Sequence, residues 1–215
     1  MAEAILFDLD GTLFDDRQYI RGGLRHAGSV LAARTGVDLT DELLDAYFER
    51  GCTESTFDTV LDEHGLPTDL VPTLVDAYHN NPAELWPFPD AVPALDGLAE
   101  TCDLGVITGG TNGHEKLDRL GLDDYFELVY VTPERETSKR SPAVFESALD
   151  ALDLPPAAAA YVGDRPSLDF PEPNRLGMTT IRIRRGRYAE ADATGDARPD
   201  YTADGLDELL TLADS

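Results

Sequence analysis

The sequence predicts an α/β fold: a doubly wound, Rossmann-like parallel sheet with an inserted helical domain. From residue 90 onward, short apolar segments alternate with helical patterns, which is typical of a parallel sheet covered on both faces. A similar apolar segment, 4–8, stands near the start of the chain. Between these regions, residues 16–80 show apolar positions three or four apart, which indicates helices.

The first half of the chain predicts one strand and a block of helices. An apolar run followed at once by turn residues predicts a buried strand at 4–8. Gly36 and Gly65 are the expected stop signals in the helical block. A segment with three prolines, 80–90, breaks the pattern and is interpreted as a hinge. The predicted helices lie near 17–35, 40–50, 54–64 and 68–80.

The second half predicts the rest of the sheet. Strands that alternate with helices are joined by crossovers and lie parallel. We therefore expect a core domain formed by residues 1–15 and 88–215, and a helical domain formed by residues 16–87. The predicted strands are 103–109, 127–132, 159–164 and 179–184, and the predicted helices are 90–101, 113–121, 142–152, 172–177 and 204–213.

Composition restricts the function. The chain of 215 residues has 42 acidic and 17 basic residues, a formal net charge of −25. Such a charge disfavours binding to nucleic acid and to anionic membranes. Of the basic residues, only Lys116 and Lys139 are lysines. Dispersed acids with few lysines resemble the protein surfaces of salt-accumulating halophiles, where salt screens the repulsion between carboxylates.

The cysteines and the apolar segments indicate a cytoplasmic protein. Cys52 and Cys102 are too few for a disulfide framework and lack the spacing of metal ligands. No apolar run approaches the ~18 residues of a membrane-spanning helix, and Met1 leads directly into the first strand, so no signal peptide is expected. We expect a monomer or a homodimer.

Reactive residues follow four of the predicted strands. In open parallel sheets, ligands bind outside the carboxyl ends of the strands, so these residues are expected to meet. Singly, each has an ordinary explanation: an Asp-Gly turn, a strand-to-helix turn, a solvated loop lysine, or a helix N-cap at Asp169. Together they indicate a site. The residues are Asp8 and Asp10 of DLDGT, Thr108 and Gly109, Lys139, and Asp164 with Asp169.

These residues, in this order, resemble the four motifs of the haloacid dehalogenase-like (HAD) hydrolase superfamily. DLDGT, Thr108, Lys139 and GDRPSLD carry the resemblance, and the helical insertion resembles that family's C1-type cap. Two details depart from the usual pattern. Thr-Gly-Gly stands where Thr-Asn-Gly is common, and residues 170–173 (Phe-Pro-Glu-Pro) replace a Gly-Ala pair.

The resemblance implies a phosphatase that acts on a small phosphorylated metabolite through an aspartyl-phosphate. Asp8 would be the nucleophile, and Asp10 the general acid and base. Thr108, the Gly109 amide and Lys139 would hold the transferring oxygens. Clustered carboxylates repel a phosphate, so Mg²⁺ is expected between them. Its expected ligands are the carboxylates of Asp8 and Asp164 and the backbone carbonyl of Asp10, with Asp169 as a direct ligand or a supporting partner.

Several alternatives stay open. A dehalogenase of the same superfamily would not need Asp10, because a halide leaves without a proton, so a phosphatase is favoured. The altered second and fourth motifs leave room for a catalytically idle binding protein. The cap is expected to select the substrate. Arg17, Arg21 and Arg25 recur on one helical face, which is either a solvated face or a site for a second anionic group. Sugar phosphates, phosphoglycolate, glyceraldehyde 3-phosphate and nucleotides all remain possible substrates.

Overall fold

The computed structural model describes residues 2–213. The chain divides into two compact units: one contains the residues up to 15 and those from 85 onward, and the other contains residues 16–84. The helical domain predicted from the sequence is 16–87. Within residues 2–213, no helix has the length and apolar character that crossing a lipid bilayer requires.

The first unit contains a parallel sheet of six strands, in the order β3-β2-β1-β4-β5-β6. The order reverses between β1 and β4, which makes this boundary the switch point where ligands bind in such sheets. The predicted fold class is confirmed. The strands are β1 (Ala4–Phe7), β2 (Asp103–Thr108), β3 (Leu128–Val131), β4 (Ala159–Gly163), β5 (Thr179–Ile183) and β6 (Tyr201–Ala203).

Burial explains why β1 forms at the centre of the sheet. All four of its residues are buried, as expected for a strand covered on both faces. Phe7 lies opposite Val106 of β2 and Val162 of β4, so the three central strands end at nearly the same level. This register brings the residues after β1 and β4 to one edge of the sheet.

Helices cover the sheet, and two short elements differ from the prediction. Strand β6 has three residues at the sheet edge, too few for a periodic pattern, and the final helix, predicted over 204–213, begins only at Glu208. A short helix, Pro166–Asp169, precedes the predicted helix at 172–177. The helices of this unit are α5 (Ala91–Leu98), α6 (Gly113–Leu120), α7 (Pro142–Ala151), α8 (Pro166–Asp169), α9 (Pro171–Leu176) and α10 (Glu208–Ala213).

The second unit consists of helices that pack around their own apolar core. Its centre is formed by buried aliphatic residues, among them Leu24, Leu31 and Leu43. Gly36 ends the first helix with a φ of 77°, and its amide donates to the carbonyl of Ala32, so this predicted stop signal is confirmed. The four predicted helices are confirmed as α1 (Arg17–Thr35), α2 (Thr40–Phe48), α3 (Thr56–Glu63) and α4 (Val71–His79).

Candidate active site

A cluster of three carboxylates lies at the switch point of the sheet. Asp8 directly follows β1 and Asp164 directly follows β4, so the sheet holds both at its carboxyl edge. Asp169 ends α8, and one carboxylate oxygen from each of the three residues lies within 4.8 Å of the others. All three residues are buried. A buried set of oxygen donors of this kind fits a hard divalent cation such as Mg²⁺.

Lys139 provides a positive charge beside this acidic cluster. Its ammonium group forms a close ion pair with Asp8 Oδ1 and lies 2.8 Å from Asp169 Oδ1. The lysine side chain is only 2% exposed. Although burial by itself lowers the pKa of Lys139, Asp169 and Asp8 raise this pKa well above its usual range. The lysine is therefore held in its charged form.

Burial also changes the titration of Asp8. Desolvation raises the pKa of Asp8 to about 7, with Lys139 opposing the rise and Asp169 and Asp10 adding to it. The charged form of Asp8 is therefore costly unless further positive charge lies close by. This property agrees with a site in which the carboxylate meets a cation.

Asp10 is held at both of its carboxylate oxygens. Oδ1 accepts a hydrogen bond from Lys116 Nζ at 2.6 Å, and Oδ2 accepts one from the Thr108 hydroxyl at 3.2 Å. The Gly110 amide donates in turn to the Thr108 oxygen at 3.1 Å. Asp10 and Thr108, both predicted as site residues, therefore contact each other directly.

Sequence reasoning missed Lys116 as a site residue. Lys116 was placed only within the predicted helix 113–121, which forms as α6 and which Gly121 ends in the left-handed conformation. The sequence held one usable signal, because Lys116 and Lys139 are the only lysines in the chain. Both are buried, and each is paired with one of the two carboxylates of DLDGT.

The carboxylate of Asp169 is held by hydrogen bonds from the surrounding protein. Its Oδ2 accepts the Arg165 amide at 2.8 Å, and its Oδ1 accepts the hydroxyl of Tyr161 at 3.4 Å besides Lys139. Both oxygens thus receive hydrogen bonds from the protein. The alternative explanation of Asp169 as a helix N-cap is wrong, because the residue that precedes α9 is Phe170.

Two glycines let the backbone pass close to the carboxylates. Gly11 has a φ of 91°, and a Cβ there would lie 2.4 Å from Asp164 Oδ2. A Cβ on Gly110 would lie 2.1 Å from Asp10 Oδ2. Gly109, in contrast, is exposed, and a Cβ there would meet no atom within 4 Å. The glycine at 109, where the usual motif has Asn, therefore leaves open space.

The altered fourth motif lies outside the carboxylate cluster. Glu172 is buried, but its carboxylate forms an ion pair with Arg175, which also lies 3.0 Å from Asp196. Pro171 is the first residue of α9, where a missing amide hydrogen costs no helical hydrogen bond. The substitution in this motif therefore adds no carboxylate to the cluster of Asp8, Asp164 and Asp169.

Arg17 and Arg21, two of the three arginines considered for a second anionic group, lie in the helical unit. Arg17 is the first residue of α1 and is exposed. Arg21 is exposed as well, and its guanidinium group lies 4.1 Å from the centre of the Phe48 ring. This contact orients Arg21 within its own unit. The other predicted site residues all lie in the unit that contains the sheet.

The fold and this cluster are those of an α/β protein whose buried carboxylates stand at the carboxyl edge of a parallel sheet. The chain belongs to the haloacid dehalogenase-like hydrolase family, whose model matches residues 5–183. A glyceraldehyde 3-phosphate phosphatase of Methanopyrus kandleri is 36% identical over 99% of this chain and 97% of its own length.

Solved structures agree with this assignment. A 2-haloacid dehalogenase from Pseudomonas syringae is 26% identical, with a TM-score of 0.70 and full coverage of both chains. A HAD phosphatase from Thermococcus onnurineus is also 26% identical, with a TM-score of 0.68 over 98% of this chain and 97% of its own. The similar structures thus include both a dehalogenase and a phosphatase, the two kinds of enzyme considered from the sequence.

Proposed function

We propose that this protein is a Mg²⁺-dependent phosphomonoesterase that acts on a small phosphorylated metabolite through an aspartyl-phosphate. The observation that carries the proposal is the pair of carboxylates after β1, each with its own buried lysine: Asp8 with Lys139, and Asp10 with Lys116. A phosphate ester needs both carboxylates, because its leaving oxygen needs a proton. A carbon–halogen bond needs only the nucleophile.

In the first step, a carboxylate oxygen of Asp8 attacks phosphorus, and the bond from phosphorus to the ester oxygen breaks. Asp10 gives a proton to that oxygen, so an alcohol leaves and Asp8 becomes phosphorylated. In the second step, Asp10 takes a proton from water, the resulting hydroxide attacks phosphorus, and the bond from phosphorus to the Asp8 oxygen breaks. Inorganic phosphate leaves, and both carboxylates return to their starting states.

The surrounding residues hold the charge that moves during these steps. Lys139, already hydrogen-bonded to Asp8, is the proposed donor to the oxygens of the transferring group, together with the Gly109 amide. The single proton of the Thr108 hydroxyl goes to Asp10 Oδ2, so Thr108 is proposed to support the general acid beside the transferring group. A buried donor such as Lys139 acts strongly because water does not screen it.

Asp8, Asp164 and the Asp10 backbone carbonyl are the proposed ligands of Mg²⁺. Asp169 is proposed to act mainly through its hydrogen bonds to Lys139 and the Arg165 amide. When bound, the ion supplies positive charge that reduces the repulsion between an anionic substrate and the carboxylates. The raised pKa of Asp8, a result of its burial, supports the need for such a charge.

The proposed substrate is a small sugar-type phosphate, with glyceraldehyde 3-phosphate as the first compound to test. The name of the Methanopyrus kandleri relative supports this choice, since that protein matches nearly the whole chain. We further propose a monomeric or homodimeric protein in the cytoplasm of a salt-accumulating cell. The net charge of −25 and the scarcity of lysine support that setting.

The test is phosphate release in molar KCl with Mg²⁺, from para-nitrophenyl phosphate and from glyceraldehyde 3-phosphate. We expect turnover that stops with EDTA and returns with Mg²⁺. Asp8→Asn should abolish turnover, whereas Asp103→Asn, at the exposed start of β2, should leave it unchanged. Beryllium trifluoride should produce density attached to Asp8 in crystals.

Three results would contradict the proposal. Chloride release from 2-chloropropionate without phosphate release from any ester would identify a dehalogenase instead. Wild-type turnover by the Asp8→Asn variant would remove the proposed nucleophile. A protein that binds phosphate but hydrolyses neither kind of substrate would be the catalytically idle alternative.

A further inference from the structure

Lys116 is a buried lysine whose position the proposed reaction steps leave unexplained. It lies on α6, its side chain is 4% exposed, and its ammonium nitrogen is 2.6 Å from Asp10 Oδ1. The two residues are 106 positions apart in the chain. Burying an ammonium group is strongly unfavourable unless a partner compensates for the lost water. The tertiary fold therefore keeps this pair together at a cost that a surface lysine would not incur.

We propose that Lys116 is a positioning residue: its ion pair holds the Asp10 carboxylate in the orientation in which that group exchanges a proton with the leaving oxygen and with water. The proposal rests on the proposed phosphatase function. It assigns to Lys116 no contact with the substrate, in contrast to Lys139.

The geometry around Asp10 supports this role. Lys116 holds Oδ1 and the Thr108 hydroxyl holds Oδ2, so rotation of the carboxylate would break a hydrogen bond on either side. The backbone of Gly110 passes close to the same pair, since a Cβ there would overlap Asp10 Oδ2 and lie 2.9 Å from Lys116 Nζ. The Asp10 side chain is still 23% exposed, which leaves it open to a reacting group.

The presence of a lysine, and not an arginine, at position 116 also supports this positioning role. Fifteen of the seventeen basic residues are arginines, and the two lysines are buried at Asp10 and Asp8. A lysine is a compact point charge, whereas arginine is a planar fork that needs more room. A Cβ built on Gly110 would already lie 2.9 Å from Lys116 Nζ, so the backbone passes close to the ammonium group.

The decisive variant is Lys116→Met, which removes the charge and keeps an unbranched chain of similar length. Misplacing a general acid and base costs about tenfold to hundredfold in turnover. We therefore expect kcat to fall by about that factor, with KM changed less than about threefold. Arg119→Met is the matched control, because Arg119 lies on the same helix and forms an ordinary ion pair with Glu115 at 3.2 Å. It should retain wild-type kinetics.

Dependence on the leaving group separates positioning from a merely structural role. An alkoxide needs its proton more than a nitrophenolate does, so Lys116→Met should lose more activity towards glycerol phosphate than towards para-nitrophenyl phosphate. With the nitrophenyl ester, the phosphorylated enzyme should accumulate, because its hydrolysis also needs Asp10. A merely structural ion pair would lower stability and reduce both activities by the same factor.

A double variant keeps the test informative if Lys116→Met fails to fold. Asp10→Asn with Lys116→Met removes both charges, so neither partner is buried unpaired. The double variant and Asp10→Asn alone should form the phosphorylated enzyme at rates within about twofold of each other, because Lys116 would have no carboxylate left to position. The rate is measured as a single burst of nitrophenol.

Three results would overturn the inference. The first is wild-type kinetics in Lys116→Met, and the second is an equal loss of activity towards both substrates in that variant. The third is a phosphorylation rate in the double variant that is a further tenfold below that of Asp10→Asn alone, which would indicate that Lys116 binds the phosphate itself. Any of these could occur in a working phosphatase whose Asp8→Asn variant is inactive. Absence of phosphate release by the wild-type protein would instead reject the proposed function.

Discussion

Alanine at Gly110 should nearly abolish turnover, whereas alanine at Gly109 should not. The two residues are neighbours in the second motif and neither has a positive φ, so backbone strain is not the difference between them. A Cβ at 110 would lie 2.1 Å from Asp10 Oδ2 and 2.9 Å from Lys116 Nζ, whereas a Cβ at 109 would meet nothing within 4 Å.

The size of the effect follows from the overlap. Ordinary contacts begin near 3.4 Å, so Asp10 or the loop would have to retreat by about 1 Å to admit the methyl group at residue 110. A displacement of ~1 Å in a reacting group can lower a rate by about 10²-fold, which corresponds to about 2.7 kcal/mol of activation free energy. We therefore expect Gly110→Ala to lower kcat about 100-fold and Gly109→Ala to change it less than twofold.

The assay is steady-state hydrolysis of para-nitrophenyl phosphate, with urea unfolding to verify that both variants fold. A Gly110→Ala variant within threefold of wild-type kcat would show that the carboxylate of Asp10 tolerates displacement. That result would contradict the reasoning about its fixed orientation.

Three further predictions follow. Asp169→Asn should lower kcat at least about tenfold, because the buried ammonium group of Lys139 then loses one of its two negatively charged partners. Glu172→Gln, outside the acidic cluster, is the control and should change kcat less than about twofold in the same assay. Gly11→Ala should raise the Mg²⁺ concentration for half-maximal activity more than about tenfold, because a methyl group there would displace Asp164; an unchanged Mg²⁺ titration would contradict this. Raising KCl from about 0.1 to about 1 M shortens the Debye length from ~10 to ~3 Å, which screens the repulsion among carboxylates. The midpoint of urea unfolding should therefore rise, and a falling midpoint would contradict the halophilic interpretation.

Local patterns were sufficient for most of the sheet and for the acidic residues. A buried parallel strand is a short apolar run, and its end is marked by the first polar residues, so β1 and β4 could be located together with Asp8 and Asp164. Strand β6 was missed because three residues at a sheet edge carry no periodicity. It forms because it can pair with β5, which no local pattern records.

The sequence by itself determined the fold class, the order of the elements and the residues at the strand ends, because these depend on neighbours in the chain. Only the tertiary structure decided which groups face each other across long separations. It paired Lys116 with Asp10 and Lys139 with both Asp8 and Asp169, and it placed Gly110 against a carboxylate while leaving Gly109 in open space. Charges interact through space at distances of a few ångströms, and a linear pattern does not contain those distances.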